Sequence, residues 1–243
     1  MRATPSLPAD RHDPAAPAQA TEPHARASVC CSTNVEASEG IAINVQLYLL
    51  RHAIHADFGL RLTGRTTGVP LTPEGERQAA ALARSLASEI LTEIHTSPRE
   101  RARSTAEAVA QASGAPVRVV DALDEIDFGE WTGAGFAALD GQPAWDTWNT
   151  CRSSARIPGG ETMDEAADRI ARHVDGLVAA RTGGRIALVT HCDMIRAFVA
   201  RVLGLSLDNI LRFEIGPASV SRLEAGPWGA RLLSLNETFG TTA

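Results

Sequence analysis

Arg51 and His52 stand directly after the apolar run Leu47-Tyr48-Leu49-Leu50, a pairing suited to phosphate chemistry. A guanidinium offers a permanent charge and a fork of donors for phosphate oxygens. A neutral imidazole can attack phosphorus or shuttle a proton near neutral pH. A second histidine, His191, closes another apolar run, Ile186-Ala187-Leu188-Val189, so its place mirrors that of His52 and suggests a shared pocket. Arg99, Arg101 and Arg103 crowd the start of a helix expected over 98–112, where free amides and the helix dipole also favour an anion. Glu125 lies among Asp121, Asp124, Asp127 and Glu130, so its alternative reading is a solvated loop charge.

These residues must be brought together by the elements that carry them. A strand is expected near 46–51, since its apolar run lacks Gly and Pro. Thr72-Pro73 opens a helix to about Ala87, with Pro at its first position. A strand near 91–96 precedes the helix at 98–112, and Pro116 to Val120 reads as a short strand. From about Glu161 to Arg181, Met163, Ala167, Ile170, Val174, Leu177 and Val178 recur at helical spacing before Gly183-Gly184. A strand at 185–190 feeds a helix to about Leu203, and the runs Ala218–Leu223 and Ala230–Leu235 flank Gly226-Pro227 as a hairpin. The alternation predicts an α/β fold, with helices covering a mostly parallel sheet. Charged residues that end its strands would lie where open α/β sheets bind ligands.

Five segments occur together: Arg51-His52; Leu71-Thr72-Pro73-Glu74-Gly75 before Gln78-Ala79; Ser97-Pro98-Arg99-Glu100-Arg101-Ala102-Arg103-Ser104-Thr105-Ala106; Leu123 to Trp131; and Val189-Thr190-His191. In order and spacing the set resembles the histidine phosphatase superfamily, the phosphoglycerate mutase-like enzymes, from about Leu47 to about Leu235. The resemblance implies a three-layer αβα sandwich. It also implies that His52 is the in-line nucleophile, that Arg51, Arg101 and His191 bind the substrate phosphate, and that Glu125 is the general acid. For this work His52 needs one ring nitrogen neutral and the other donating to a backbone carbonyl. Glu125 needs a raised pKa, which a nearby phosphate dianion would favour.

The chain departs from the family pattern in places. The usual Arg-His-Gly-Glu-Thr reads Arg51-His52-Ala53-Ile54-His55, and Ala53 implies either an ordinary φ or a tolerated positive one. Thr63 and Thr66 are candidates for the polar contact often supplied by Asn. Cys192-Asp193 stands where Gly usually follows the second histidine, and Cys192 reads as a small turn residue or a redox-sensitive thiol. The segment at about 132–160 is expected to be a short specificity cap. Within it Arg152 or Arg156 could meet a second anionic group, while at least one of Trp145 and Trp148 should pack in the core, as should Phe128 and Trp131. The glycolytic mutase stretch Glu-Arg-His-Tyr-Gly is replaced by Glu125-Ile126-Asp127-Phe128-Gly129, nearer the phosphatase branch.

Composition bounds the reading. The chain has 243 residues and a net charge of −6, so no broad basic surface for nucleic acid is indicated. It contains no lysine, which excludes Schiff-base and P-loop lysine chemistry. Cys30, Cys31, Cys151 and Cys192 lack zinc-finger spacing, and a reduced cytoplasmic setting is the default expectation. Residues 1–45 read as an Ala/Pro-rich tail ahead of one domain at 46–243, without a secretory or membrane-spanning run. A dimer is compatible with the sequence, which sets no oligomeric state.

The expected function is a metal-independent phosphoric monoester hydrolase, resembling histidine acid phosphatases, acting on a small phosphorylated metabolite without a cofactor. The alternatives are a phosphoglycerate-type mutase, a metal-dependent hydrolase using His52, His55 and His191 with Asp193, and a non-catalytic phosphate-binding module.

Overall fold

The computed structural model describes residues 44–180 and 183–240; most of the expected tail, and Arg181, lie outside them. Six strands form one sheet: β1 (Val45–Arg51), β2 (Glu93–Thr96), β3 (Val117–Val119), β4 (Arg185–Thr190), β5 (Val220–Gly226) and β6 (Gly229–Glu237). Their order is β3-β2-β4-β1-β5-β6. The pairs from β3 to β1 are parallel and the β5–β6 hairpin is antiparallel, as is its junction with β1.

Both faces of the sheet are covered, which is why β1 reads as a continuous apolar run. Leu47 and Leu49 enter one core with Ile186 and Leu188, under α5 (Met163–Ala179) and α6 (Cys192–Leu203). Tyr48 and Leu50 enter the other with Ala187 and Val189, under α1 (Pro73–Leu86) and α2 (Glu100–Ser113). This is the expected three-layer αβα sandwich. Thr162 caps α5 through a reciprocal pair with Glu165, so that helix starts just after the expected point.

Two short helices, α3 (Phe136–Leu139) and α4 (Pro143–Thr150), occupy the expected cap segment. Trp148 is fully buried, and Trp131 meets Trp145 and Trp148 edge-on at 5.3 and 6.3 Å. These contacts fasten the cap to the sandwich and add to their area burial. Among the described residues no helix is long and apolar enough to cross a membrane.

Candidate active site

β1 and β4 run side by side with Arg51 opposite Thr190, so the residues that follow them, His52 and His191, emerge together at the sheet's carboxyl edge. Their ring centroids are 5.0 Å apart. His52 Nδ1 lies 2.8 Å from the Ala53 carbonyl, to which it must donate. The tautomer expected from sequence follows, leaving Nε2 as the acceptor nitrogen. Burial first, then Arg101 and Arg51, hold His52 well below the ordinary imidazole pKa, and so neutral. Ala53 takes no left-handed φ, so the absent glycine costs no strain here.

Two motifs hold the backbone beyond this histidine. Thr72 caps α1 by accepting from Gly75 N, while its own N–H donates to the Ile54 carbonyl at 3.0 Å. Gln78 Oε1 accepts from Ile54 N at 3.1 Å. A side chain on Gly75 would put its Cβ 1.9 Å from that same carbonyl, so only glycine lets α1 approach. From α2, Thr105 Oγ1 accepts from Ala53 N at 3.1 Å and donates to Arg101 O at 2.8 Å.

Arg101 sits in the first turn of α2 and is 1% exposed. Its Nε donates to His52 Nε2 at 3.3 Å. Its Nη2 donates to Gly64 O at 2.8 Å and to His191 Nδ1 at 3.2 Å. Its Nη1 is buried without a partner, as is Nε of Arg51. Arg51 donates to the Ile215 carbonyl and lies 5.4 Å from the Phe58 ring centroid. Buried donors of this kind are costly to leave unmet, and an anion would meet them.

Because Arg101 can only donate, His191 Nδ1 must accept, and its Nε2–H donates to Ser97 Oγ at 2.8 Å. Ser97 donates onward to Asp124 Oδ1 at 3.3 Å, and the same oxygen accepts from Glu125 N at 2.8 Å. Arg99 pairs with Asp124 at 2.9 Å, leaving that carboxylate structurally committed. The sequence marks no role for Ser97, and shows Asp124 only as one of the acidic neighbours of Glu125.

Glu125 Oε2 lies 3.5 Å from His191 Nδ1. Burial chiefly, then the Asp193 carboxylate, push its pKa up to about 7 against the pull of Arg101. The shift therefore exists before any phosphate arrives, whereas sequence reasoning sought its cause in bound phosphate. Gly129 and Gly160 let the loop at 123–131 dock on 158–161, since a Cβ at either would lie 2.2 Å from a carbonyl oxygen of the other segment.

Arg51, His52, Arg101 and Glu125 line a cavity of about 270 Å³ that also meets His55, Phe58, Arg61, Leu62, Thr63, Phe128, Phe136 and Asp193. His191, fully buried, is not among the lining residues and reaches the site through Arg101. Thr63 is buried on its wall with Oγ1 unpartnered, whereas Thr66 is not among the lining residues. Phe128 is both core and wall. Arg152 and Arg156, the candidate second-anion contacts, are also absent from the lining. Arg152 is buried over the Trp148 ring at 5.1 Å and faces Asp193 at 3.4 Å, while Arg156 pairs with Glu165 at 2.5 Å. Burial raises the Cys192 thiol to about 11, which does not suit a reactive thiolate. Among the described residues no group of three His, Cys, Asp or Glu is arranged to hold a metal ion. The ring nitrogens of His52 and His191 already answer Ala53, Arg101 and Ser97.

The family description of the histidine phosphatase superfamily (branch 1) matches residues 47–238. A protein of Photorhabdus laumondii named a probable phosphoglycerate mutase GpmB is 30% identical over 190 residues, 76% of this chain and 87% of its own. The structure of mycobacterial glucosyl-3-phosphoglycerate phosphatase is 28% identical with a TM-score of 0.72, covering 80% of this chain and 100% of that one. A structure named mycobacterial hydrolase 2 is 27% identical with a TM-score of 0.74, covering 83% and 94%.

Proposed function

The chain belongs to the histidine phosphatase superfamily, and on that premise we propose that it is a metal-independent phosphomonoesterase working through phosphohistidine. One observation carries the reading: His52, its Nε2 held as an acceptor by Arg101 Nε, lines the cavity beside the buried Arg101 fork, whose Nη1 has no protein partner. Nε2 attacks phosphorus in line, and the bond to the leaving oxygen breaks. Glu125 gives that oxygen its proton. Water then attacks the phosphohistidine and yields its proton to the Glu125 carboxylate, and the P–N bond breaks to release phosphate and neutral His52. Arg51 and Arg101 hold the non-bridging oxygens throughout, which suits a loose transition state stabilised by positioning and charge. Two guanidiniums beside both imidazoles also oppose a bound cation, which weighs against the metal-dependent alternative. An intact nucleophile and acid weigh against a pure binding module.

The mutase alternative has support in the name of the Photorhabdus relative. A mutase must retain a bisphosphate while it reorients, and so needs anion contacts at both ends. Here Arg152 and Arg156 are turned to Asp193 and Glu165, which favours the phosphatase. Rapid quench with a phosphomonoester should give acid-labile phosphate on His52, insensitive to chelator and absent in His52→Ala. With 3-phosphoglycerate and a trace of bisphosphate, phosphate release should exceed isomerisation. Turnover by His52→Ala, or activity that is lost with a metal and restored by it, would defeat the proposal.

A further inference from the structure

We infer that the substrate is a monophosphate of an alcohol bearing a flat or apolar group and no second anion near the ester, with Asp193 excluding the anion and Phe58 and Phe136 receiving the apolar group. The inference rests on the phosphatase reading and concerns the half of the cavity that the phosphate leaves free.

Asp193 lies in the first turn of α6 and presents a carboxylate to the cavity. Arg152 and Arg196 meet it at 3.4 and 3.6 Å, but neither lines the cavity, so of the three charged groups only the carboxylate borders it. Its field reaches the reaction centre, being the second cause of the raised proton affinity of Glu125. An anion on the substrate alcohol would meet the Asp193 carboxylate in a partly buried site, where like charges repel more strongly than in bulk water. The third arginine on the lining, Arg61, stands 3.4 Å from Asp57 and is partly neutralised.

Part of the cavity wall is apolar. Phe58 and Phe136 are each 41% exposed and both line it, with Leu62 and Phe128. Exposed aromatics that converge on a cavity differ from scattered surface apolar residues, and they suit a ring or alkyl group. Their placement is built into the backbone: Leu62 N donates to Ala134 O and Gly133 N to Leu62 O, both at 2.8 Å, and Arg61 bridges Gly135. Phe58 also lies against Arg51, so the apolar wall begins beside the phosphate clamp. A volume of about 270 Å³ is at the small end for ligand sites and suits a phosphate with a single ring system.

The test compares three alkyl phosphates on the wild-type chain: 2-phenylethyl phosphate, propyl phosphate and 3-phosphoglycerate. The expected order of kcat/KM is phenylethyl, propyl, phosphoglycerate, with at least about tenfold between the last two. Asp193→Asn should raise the phosphoglycerate-to-propyl ratio about tenfold, whereas a merely structural role would change all three substrates together. Phe136→Ala should reduce the phenylethyl-to-propyl ratio. A wild-type preference for phosphoglycerate, or an unchanged ratio in Asp193→Asn, would overturn the inference. Phosphohistidine formation from p-nitrophenyl phosphate, measured on the same preparation, separates the two levels. If it persists while the order fails, only the specificity inference falls; if it is absent, the phosphatase reading falls too.

Discussion

Nε of Arg101 donates to Nε2 of His52 at 3.3 Å, so the guanidinium expected to hold phosphate occupies the lone pair expected to attack it. The same guanidinium reaches His191 Nδ1. One cation therefore donates to the acceptor nitrogens of both imidazoles. On the proposed reading, phosphate would have to draw Arg101 off His52 to free Nε2, and the unpartnered Nη1 would give the anion a place to begin.

That exchange makes phosphate a stabiliser acting through Arg101. Inorganic phosphate at about 100 times its Kd should stabilise the wild-type fold by roughly 2.7 kcal/mol, visible as a rise in Tm. Arg101→Met should lose most of the rise, and its ligand-free stability should also fall, because Gly64 O and the acceptor nitrogens of both histidines lose their donor. Thermal unfolding with and without phosphate measures both. A full rise in Arg101→Met would place the anion elsewhere.

The pH profile should carry the signature of Glu125. Its free-enzyme pKa near 7 means that the protonated acid is lost as pH rises through that value. For an alkyl phosphate, kcat/KM should fall on the alkaline side of about pH 7, while the substrate, with a second pKa near 6, is already dianionic there. Glu125→Gln should slow single-turnover phosphorylation by alkyl phosphates about 10²–10⁴-fold and flatten the alkaline limb. With p-nitrophenyl phosphate the same step should suffer much less, since nitrophenolate leaves without a proton. Equal losses for both substrates would make Glu125 a positioning group instead.

The strand-terminal histidines were legible in sequence because each ends an apolar run, and two such runs lie adjacent and parallel in the sheet. Arg101 was legible because its helix start recurs with the other segments. Other features depend on partners far away in the chain. Nothing around Arg152 or Arg156 marks Asp193 and Glu165 as the carboxylates that occupy them. The Asp124 hub was hidden for a similar reason, since its value comes from Ser97 and Arg99 on another segment. Phe58 and Phe136 gain meaning only when the loops at 55–64 and 132–136 pair.

Gly75 tests whether the helix α1 segment serves the nucleophile. Gly75→Ala would drive a Cβ into the Ile54 carbonyl, two residues beyond His52. Such overpacking should cost about 1–3 kcal/mol in denaturant unfolding. Because the displaced backbone leads directly to His52, phosphoenzyme formation should slow in the fraction that remains folded. A stable variant with wild-type phosphorylation would show that α1 can retreat without moving the site.

His191 makes the most specific claim about protons. Its Nε2–H is committed to Ser97, so Nδ1 is an acceptor, occupied by Arg101 Nη2. A lone pair repels an anion's oxygen, so once Arg101 turns to the ligand, Nδ1 must gain a proton to hold it. Burial, then Arg101, His52 and Arg51, hold His191 well below the ordinary imidazole pKa, and so neutral. A bound dianion reverses the charge that suppresses it. Sulfate is a useful probe because it does not titrate near neutrality. In a Glu125→Gln background, which removes the other nearby proton carrier, sulfate binding at pH 8 should take up about one proton at His191. Calorimetry in two buffers of different ionisation enthalpy measures that uptake. Adding Ser97→Ala frees Nε2, so a neutral imidazole can present Nδ1–H without a new proton, and the uptake should fall. Any uptake at His52 is common to both variants and cancels in the comparison. Equal uptake with and without Ser97 would mean that the Ser97–Asp124 chain does not set the tautomer of His191.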